Sequence, residues 1–469
     1  MSRGHTDYDA VIVGAGIGGL TCGCYLAQAG MNVLILERHS RPGGYCASFK
    51  RKNFLFDAAA HSFGGYRDGG LARQVINELN IDILIARHDP TDVILTPHSR
   101  ISFHAERTST VSEFQAAFPG EARNITNFFS FIENPPAAAL ALARRRTFQD
   151  LLDGYFRDGR LKAVLSYPLL GNCGLPPTSL SAFIGAKIFR EFLIDGGYYP
   201  VGGMQLLSDA FATRFSEYGG ELKCSCEVKR ILLDHGTCAG VELSDGTMIP
   251  SNIVVSNADA RQTFSVLVGQ KHLPGAFLRK LSNMAPSLSM IVVYMGIDPT
   301  AGQLPDRGVN LWYLPHYDLD SLYRKARANH ADTVFMLRVG PNKNSMVAFA
   351  QASFLSLDYW RKSKKKLLDH YISRIESCII PGLSKQLLYR EAATPATLYR
   401  YTLNSQGASY GWDATVEQLA DRDFYRPPFV RGLYLVGHWT TQGLGITGAI
   451  YTARERARWL LQGAKRKRL

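Results

Sequence analysis

The chain has 469 residues, of which 46% are hydrophobic and 20% are charged. This is a globular composition with enough apolar residues for a core, and the length excludes a single small domain and fits two or three packed units. Lysine and arginine number 53 against 40 aspartates and glutamates, so the net charge of +13 favours an anionic partner such as nucleic acid, anionic lipid or an acidic ligand.

The N-terminal part predicts a strand, a glycine turn, a helix and a second strand. Residues 9–16 (DAVIVGAG) indicate a buried strand, residues 18–30 (GGLTCGCYLAQAG) a helix closed by Gly30, and residues 32–37 (NVLILE) another buried strand. Residues 11–36 carry no charge, but six glycines interrupt them, which indicates a folded unit and not a membrane span. We therefore expect no transmembrane segment, and the polar start predicts no signal peptide.

The glycine turn has the spacing of a dinucleotide-binding motif. Gly14, Gly16 and Gly19 follow the first strand, and Glu37 ends the second strand 18 residues past Gly19. The first glycine permits a tight turn, the second lets a pyrophosphate approach the backbone, and the third lets helix and strand pack closely. A carboxylate at the end of the second strand suits ribose hydroxyl groups. Gly18, which lies between the second and the third of these glycines, is also predicted to bind the dinucleotide. The other interpretation is a glycine-rich packing turn without a ligand.

The middle of the chain predicts helices first and then strands. The pattern is helical and irregular over about 112–190, and a helix is predicted from about Gly203 to Tyr218. One strand is predicted over 221–233 (ELKCSCEVKRILL). Residues 239–243 (AGVEL) and 248–259 (MIPSNIVVSNAD), on either side of an Asp-Gly turn, are interpreted as short antiparallel strands.

The C-terminal part of the chain repeats the strand, glycine loop and helix pattern of the N-terminal part. Between about residues 262 and 395, predicted strands alternate with helices, and residues 433–450 (LYLVGHWTTQGLGITGAI) return to a strand, a glycine loop and a helix. The pattern predicts two interleaved units. The first comprises residues 1–105, 191–261 and 396–469, and the second, the substrate-binding unit, comprises residues 106–190 and 262–395.

The eight cysteines form no CxxC pair, so neither a zinc ribbon nor a thioredoxin-type centre is indicated, and no metal site is predicted. We expect all of them to be reduced packing residues. They are Cys22, Cys24, Cys46, Cys173, Cys224, Cys226, Cys238 and Cys378.

The residues after Glu37 distinguish between nucleotide cofactors. Arg38 follows the acid, and the pair Gly43-Gly44 stands six residues beyond it. Here the chain resembles the FAD-dependent amine oxidase and phytoene desaturase superfamily, in which the acid strand is followed by a basic residue and a Gly-Gly pair. An arginine usually follows that pair in the superfamily, and this chain has Tyr45 instead.

The resemblance extends over most cofactor-binding segments and is most specific to the phytoene desaturase, carotenoid isomerase and retinol saturase branch. It implies an α/β fold in which a Rossmann-like, three-layer ββα FAD-binding domain is interleaved with a mixed α+β substrate domain. It also implies that FAD binds non-covalently and that Val228 contacts the adenine through its backbone. The segments that carry the resemblance are NFLFDAAAHSFGG, GGYYPVGGMQLLSDAF, CEVKRI, VVSNADARQTF and SQGASYGW.

The resemblance also gives the C-terminal glycine loop a role at the flavin end of the same cofactor. It implies that Gly437, His438, Gly445 and Ile446 lie against the ribityl chain and the isoalloxazine, with His438 where many relatives carry an acid. The helix after Gly445 would offer partial positive charge where reduced flavin gathers negative charge. His61 follows the FD strand, as in several relatives, and is either a residue of the substrate tunnel near the flavin or a structural histidine.

The resemblance implies redox chemistry on a long conjugated isoprenoid, namely desaturation, saturation or cis–trans isomerisation of a carotenoid-like or retinoid-like chain. Since the sequence has no second GxGxxG unit for NADPH and no CxxxxC pair, electrons are expected to pass between flavin and substrate, with oxygen, a quinone or another acceptor closing the cycle. Two alternatives remain open. One is a soluble amine or amino-acid oxidase; the other is a prenyl-binding escort protein without enzymatic activity.

Three basic stretches bear on the location of the protein. They are residues 143–146 (ARRR), 361–366 (RKSKKK) and 465–468 (KRKR). They are either solvated surface or attract anionic lipid headgroups, at roughly 1 kcal/mol per basic residue near the membrane. We expect a cytoplasmic protein that associates peripherally with an anionic membrane, and no nucleic-acid partner, because no recognition motif accompanies the charge.

Overall fold

The computed structural model describes residues 8–298, 304–329, 335–340, 344–419, 427, 429–440 and 444–468. Its strands are β1 (Ala10–Val13), β2 (Val33–Leu36), β3 (Ser48–Arg51), β4 (Phe54–Asp57), β5 (Ile85–Arg87), β6 (Asp92–Leu95), β7 (Arg100–Phe103), β8 (Tyr198–Pro200), β9 (Glu221–Lys223), β10 (Val228–Asp234), β11 (Thr237–Leu243), β12 (Met248–Pro250), β13 (Val254–Ser256), β14 (Ser289–Ile297), β15 (Asn310–Tyr313), β16 (Phe335–Val339), β17 (Ser345–Ala352), β18 (Leu387–Ala393) and β19 (Leu433–Leu435).

Its α-helices are α1 (Ile17–Gln28), α2 (Leu71–Glu78), α3 (Arg107–Ala117), α4 (Ala122–Glu133), α5 (Ala137–Ala143), α6 (Phe148–Asp153), α7 (Gly159–Cys173), α8 (Ala182–Ile188), α9 (Gln205–Glu217), α10 (Gly275–Asn283), α11 (Leu319–Arg327), α12 (Leu357–Cys378), α13 (Leu383–Gln386), α14 (Pro395–Thr402), α15 (Val416–Leu419) and α16 (Gly445–Arg468). Two segments are π-helical, Phe189–Ile194 and Gln262–Gly269.

The first unit is built on a parallel sheet with the strand order β19-β13-β1-β2-β9. Side chains on alternate positions of a strand point to opposite faces, so β1 and β2 supply two cores. One face packs against α1, α9 and α16. The other packs against the antiparallel sheet β10-β11-β12. The predicted three-layer ββα arrangement is confirmed.

The second unit is built on a seven-stranded sheet with the order β18-β14-β17-β16-β15-β6-β7. Its strands are antiparallel to their neighbours except for the pair β6 and β15. One face packs on α12, with Trp360 and Tyr371 buried there. The opposite face packs in one core with helices α3, α4, α6, α7 and α8, and this core contains many aromatic side chains. This inner face forms one wall of the site described below.

Three expectations from the sequence are corrected. The single strand predicted over 221–233 is divided at Ser225, whose φ is 56°, so that β9 joins the parallel sheet and β10 the antiparallel one. Residues 254–256, predicted to be antiparallel, pair in parallel with β1 and β19. Residues 92–103, predicted as part of the first unit, form β6 and β7 of the seven-stranded sheet because β6 pairs with β15. The other unit boundaries stay a prediction.

The cysteines are free thiols, as predicted, and five of them are buried: Cys22, Cys24, Cys46, Cys173 and Cys238. Burial raises the pKa of four of these thiols to about 12, those of Cys22, Cys46, Cys173 and Cys238. None of the helices that the structure describes combines the length and hydropathy of a membrane-crossing segment.

Candidate active site

A cavity of about 370 Å³ lies where the two units meet. On the side of the first unit it is lined by the glycine turns. On the other side it is lined by residues from the inner face of the seven-stranded sheet, namely Met290, Val292, Trp312, Met336, Phe349 and Gln351. The predicted site residues that line it are Gly14, Gly16, Gly18, Glu37, Arg38, Gly43, Gly44, His61, Val228, Gly437, His438, Gly445 and Ile446.

The N-terminal glycine turn is closed too tightly for side chains. Gly14 has a φ of 95°, and a Cβ on Gly19 would lie 2.1 Å from the carbonyl oxygen of Gly14. Gly19 therefore lies behind the turn, where it lets α1 pack closely on β1. The turn also touches the second glycine pair, because the amide of Gly43 donates to the carbonyl oxygen of Ala15 at 3.0 Å. The two glycine motifs of the first 44 residues thus form one continuous cradle.

Glu37 is buried at the carboxyl end of β2 and is held by backbone amides. Its Oε2 accepts from the amide of Ala15 at 2.9 Å, and its Oε1 accepts from the amide of His39 at 2.9 Å. Each carboxylate oxygen can accept a further hydrogen bond. The carboxylate is therefore fixed in position and still has acceptor capacity towards the cavity.

Arg38 places an unsatisfied donor beside this cradle. Its Nη1 is buried and has no hydrogen-bond partner among the described residues, while its Nε lies 3.9 Å from the carboxylate of Glu227. A buried guanidinium nitrogen without a partner is costly, so it marks a place for an anionic or acceptor group. Val228 begins β10 next to it and also lines the cavity.

The C-terminal loop meets the N-terminal turn directly. A Cβ on Gly18 would lie 3.0 Å from the Cα of Gly437, and a Cβ on Gly437, whose φ is 83°, would lie 2.4 Å from Oδ1 of Asn257. Asn257 therefore stands between the two turns and lines the cavity. Sequence reasoning did not single it out. The reason is the direction of β13: Asn257 follows a parallel strand, and ligands of such sheets bind at the carboxyl ends of the strands, but this strand was predicted to be antiparallel.

Helix α16 begins at the cavity wall. Gly445 is its first residue, and Gly445 and Ile446 line the cavity. The unpaired amides and the dipole of a helix N-terminus favour negative charge there. The loop before it includes residues 441–443, which lie outside the described part of the chain.

His438 and His61 are aromatic neighbours of the cavity with lowered pKa values. Desolvation lowers the pKa of His438 to about 4, and its ring centroid lies 5.8 Å from that of Tyr45. Desolvation, together with the charge of Arg338, lowers the pKa of His61 to about 3. The ring of His61 lies 5.0 Å from Phe349, and its Nε2 has no partner among the described residues. Both imidazoles are therefore neutral at physiological pH.

Comparison with known proteins identifies relatives over almost the whole chain. A sequence model described as "Flavin containing amine oxidoreductase" matches residues 17–461. The chain is 26% identical to the all-trans-retinol 13,14-reductase of Danio rerio, covering 93% of this chain and 83% of that protein. It is 26% identical to the prolycopene isomerase of Daucus carota, covering 95% and 78%. It is 24% identical to the neurosporene-forming phytoene desaturase of Rhodobacter capsulatus, covering 94% and 91%.

Solved structures share the fold at lower identity. An oxidoreductase from Methanosarcina mazei superposes with a TM-score of 0.69 at 17% identity, covering 95% of this chain and 99% of that one. Putrescine oxidase superposes with a TM-score of 0.66 at 14% identity, covering 97% and 99%. These similarities support the fold assignment: a parallel-sheet nucleotide-binding unit joined to a second, mixed sheet.

Proposed function

Because the chain belongs to the flavin-containing amine oxidoreductase family and is an FAD-dependent oxidoreductase, we propose that it acts on a long apolar polyene isoprenoid. The substrate is carotenoid-like or retinoid-like, and the reaction is desaturation, saturation or cis–trans isomerisation. The names of the relatives, a retinol reductase, prolycopene isomerases and a phytoene desaturase, support this substrate class.

The observation that carries the proposal is the apolar wall of the cavity. Trp312, Met336 and Phe349 face it from the sheet, and an extended polyene can gain about 25 cal/mol for each Å² of apolar surface that it buries. An amine or amino-acid oxidase needs a free polar group to position an ammonium or a carboxylate. Glu191, which lines the cavity from the π-helical segment Phe189–Ile194, is not free, because Arg67 holds it by a two-pronged contact at 2.9 and 3.0 Å.

The residues around the glycine cradle fit FAD, and we assign them to it. The amides near Gly14, Gly16 and Gly18 would hold the pyrophosphate, with the unsatisfied Nη1 of Arg38 as a further donor. Glu37 would accept from the adenosine ribose. The remaining contacts would come from Gly43, Gly44 and Val228 and, at the flavin end, from Gly437, His438, Gly445 and Ile446.

Bound FAD supplies the redox chemistry by exchanging a hydride equivalent with carbon. The residues of this chain orient the cofactor, exclude water with the aromatic wall and favour negative charge at the start of α16. Neutral His61 would line the polyene path and not serve as a charged acid. We also propose that the protein docks peripherally on an anionic membrane, since such a substrate resides in the bilayer and the net charge is +13.

The test is an anaerobic incubation of the protein with liposomes containing candidate polyenes and either oxidised or reduced FAD. A shift of the visible absorption bands, with products resolved by chromatography, is the expected result and distinguishes desaturation, saturation and isomerisation. Oxidation of amines with no change in any polyene would contradict the proposal in favour of the oxidase. Stoichiometric polyene binding without conversion would favour the escort protein.

A further inference from the structure

Helix α5 (Ala137–Ala143) is an apolar helix that lies on the surface of the protein. Its sequence is AAALALA, and Ala143 is its only buried residue. Leu142 has 56% of its surface exposed, and Ala137, Ala138 and Ala141 are exposed as well. A helix of this composition is ordinarily covered by a neighbour, since its exposed face has no polar group with which to hydrogen-bond water.

Three arginines follow this helix without a break. Arg144, Arg145 and Arg146 are all exposed, and none of them forms an ion pair with another residue that the structure describes. The guanidinium carbon of Arg144 lies over the ring of Phe183, 4.1 Å from its centroid. We call α5 together with these arginines the α5 surface. It combines an exposed apolar helix with three positive charges that form no ion pair within the described part of the chain.

A single helix separates the α5 surface from the cavity. Helix α5 packs on α8. Phe183 of α8 contacts Arg144 on the outside, while Ile184, Lys187 and Ile188 of the same helix line the cavity on the inside. Packed helices lie about 8–10 Å apart, so only that thickness lies between the surface and the cavity.

We propose that the α5 surface docks the enzyme on an anionic lipid bilayer, so that one helix separates the bilayer from the cavity. This inference rests on the proposed function, because only a membrane-borne substrate needs such a contact. Leu142 and the alanines would enter the boundary between headgroups and acyl chains, while the arginines bind the anionic headgroups.

The test is flotation of the full-length, FAD-loaded protein with liposomes of neutral lipid alone and of neutral lipid mixed with phosphatidylserine. The variant Arg144→Gln/Arg145→Gln/Arg146→Gln should bind the anionic liposomes about 100-fold more weakly, since each basic residue near the surface contributes roughly fivefold. Leu142→Asp should weaken binding to both kinds of liposome. The control Lys362→Gln/Lys365→Gln/Lys366→Gln removes three positive charges from α12 and should float as the wild type does.

Because Arg144 packs on Phe183, the triple variant could lose binding by misfolding, and a second variant is needed that keeps Arg144. Arg145→Gln/Arg146→Gln leaves that contact intact and should still lose about 25-fold in binding. Flotation equal to the wild type in all α5 variants would overturn the docking surface, as would a wild type that never floats, or one that binds RNA in preference to lipid. Polyene conversion in detergent micelles tests the proposed function separately. The α5 variants should keep it there and lose it only with liposomes.

Discussion

At the scale of single residues, the carboxylate of Glu37 can serve two purposes, since it stabilises the backbone of the glycine turn and also offers an acceptor to a ligand. Two backbone amides fix its two oxygens, one from the glycine turn and one from the residue after β2. Hydrogen bonds to a charged acceptor contribute about 1.5–3 kcal/mol each. The same side chain therefore organises the cradle and presents a strong acceptor to the cavity.

Replacing Glu37 by Gln should weaken FAD binding by roughly 10- to 100-fold, because the neutral amide is a poorer acceptor for the ribose. The dissociation constant, measured by the quenching of FAD fluorescence, checks this. Glu217→Gln, at a half-exposed position on α9, is the control and should bind FAD normally. An unchanged dissociation constant in the Glu37 variant would place the ribose elsewhere.

His61 should not titrate in the physiological range, because its pKa is lowered to about 3. The profile of kcat/KM between pH 5 and pH 8 should therefore keep its shape in His61→Asn. Stability gives the opposite expectation. Between about pH 3 and 6.5 the unfolded chain binds a proton at His61 that the folded chain does not, so stability falls as the pH drops, by about 1.4 kcal/mol per pH unit.

His61→Asn should thus lose less stability than the wild type between pH 7 and pH 5. Urea unfolding midpoints at both values measure the difference. The control is His235→Asn, whose side chain is 96% exposed. A limb of the wild-type activity profile that is lost in His61→Asn, or an equal acid loss of stability in both proteins, would show that the pKa of His61 is not lowered in the folded state.

At the scale of elements, the sequence predicted what local patterns encode. In the strand–glycine–helix units around Gly14 and Gly445, the order of apolar residues and glycines along the chain is enough to indicate the structure. Both units were therefore predicted, and both are observed. The break between β9 and β10 was not predicted, because polar and apolar residues alternate across Ser225 as in a single strand. The break is stabilised by a residue far away in the sequence, because the amide of Ser225 donates to the carbonyl oxygen of His39 at 2.8 Å.

The direction of β13 and the position of Asn257 in the site also depend on contacts with residues far away in the sequence, so local patterns could not predict them. A buried three-residue strand looks alike in parallel and antiparallel sheets, and only its partners β1 and β19, far away in the chain, decide between them. The wall of the cavity formed by α8 carries no motif at all. Its residues Ile184 and Ile188 have an ordinary helical spacing, and only the tertiary fold turns them towards the cavity.

Gly64 is a junction of three elements and gives a prediction at this scale. A Cβ there would lie 1.5 Å from the backbone oxygen of Glu191 in the π-helical segment, and its own carbonyl accepts from the hydroxyl of Thr447 in α16. Since backbone must move, Gly64→Ala should destabilise the fold by about 1–3 kcal/mol and weaken FAD binding.

Urea unfolding and FAD titration of Gly64→Ala measure both effects. Gly120→Ala is a suitable control, because a Cβ at Gly120 would have no neighbour within 4 Å. Stability equal to that of the wild type would mean that the loop and the π-helical segment are not in contact as described.

At the scale of the whole molecule, both units contribute walls to one cavity, so FAD should stabilise them together. A ligand at 100 times its dissociation constant adds about 2.7 kcal/mol to the stability of the state that binds it. Calorimetry of the apoprotein, without and with FAD at that concentration, should show the whole transition move upward. Riboflavin, which cannot engage Glu37 or Val228, should stabilise less. A separate unfolding transition whose temperature does not change with FAD would show that one unit unfolds independently of the other.

The burial of the thiols has a consequence for the lifetime of the protein. When oxygen takes electrons from a reduced flavin, it becomes peroxide, and peroxide attacks cysteine in its thiolate form. With pKa values of about 12, the thiols of Cys22, Cys46, Cys173 and Cys238 are ionised in roughly one molecule in 10⁵ at pH 7. The thiols of the core are thereby protected from the peroxide that the flavin would release. Oxidation of cysteine should instead occur mainly at the partly exposed Cys224, Cys226 and Cys378.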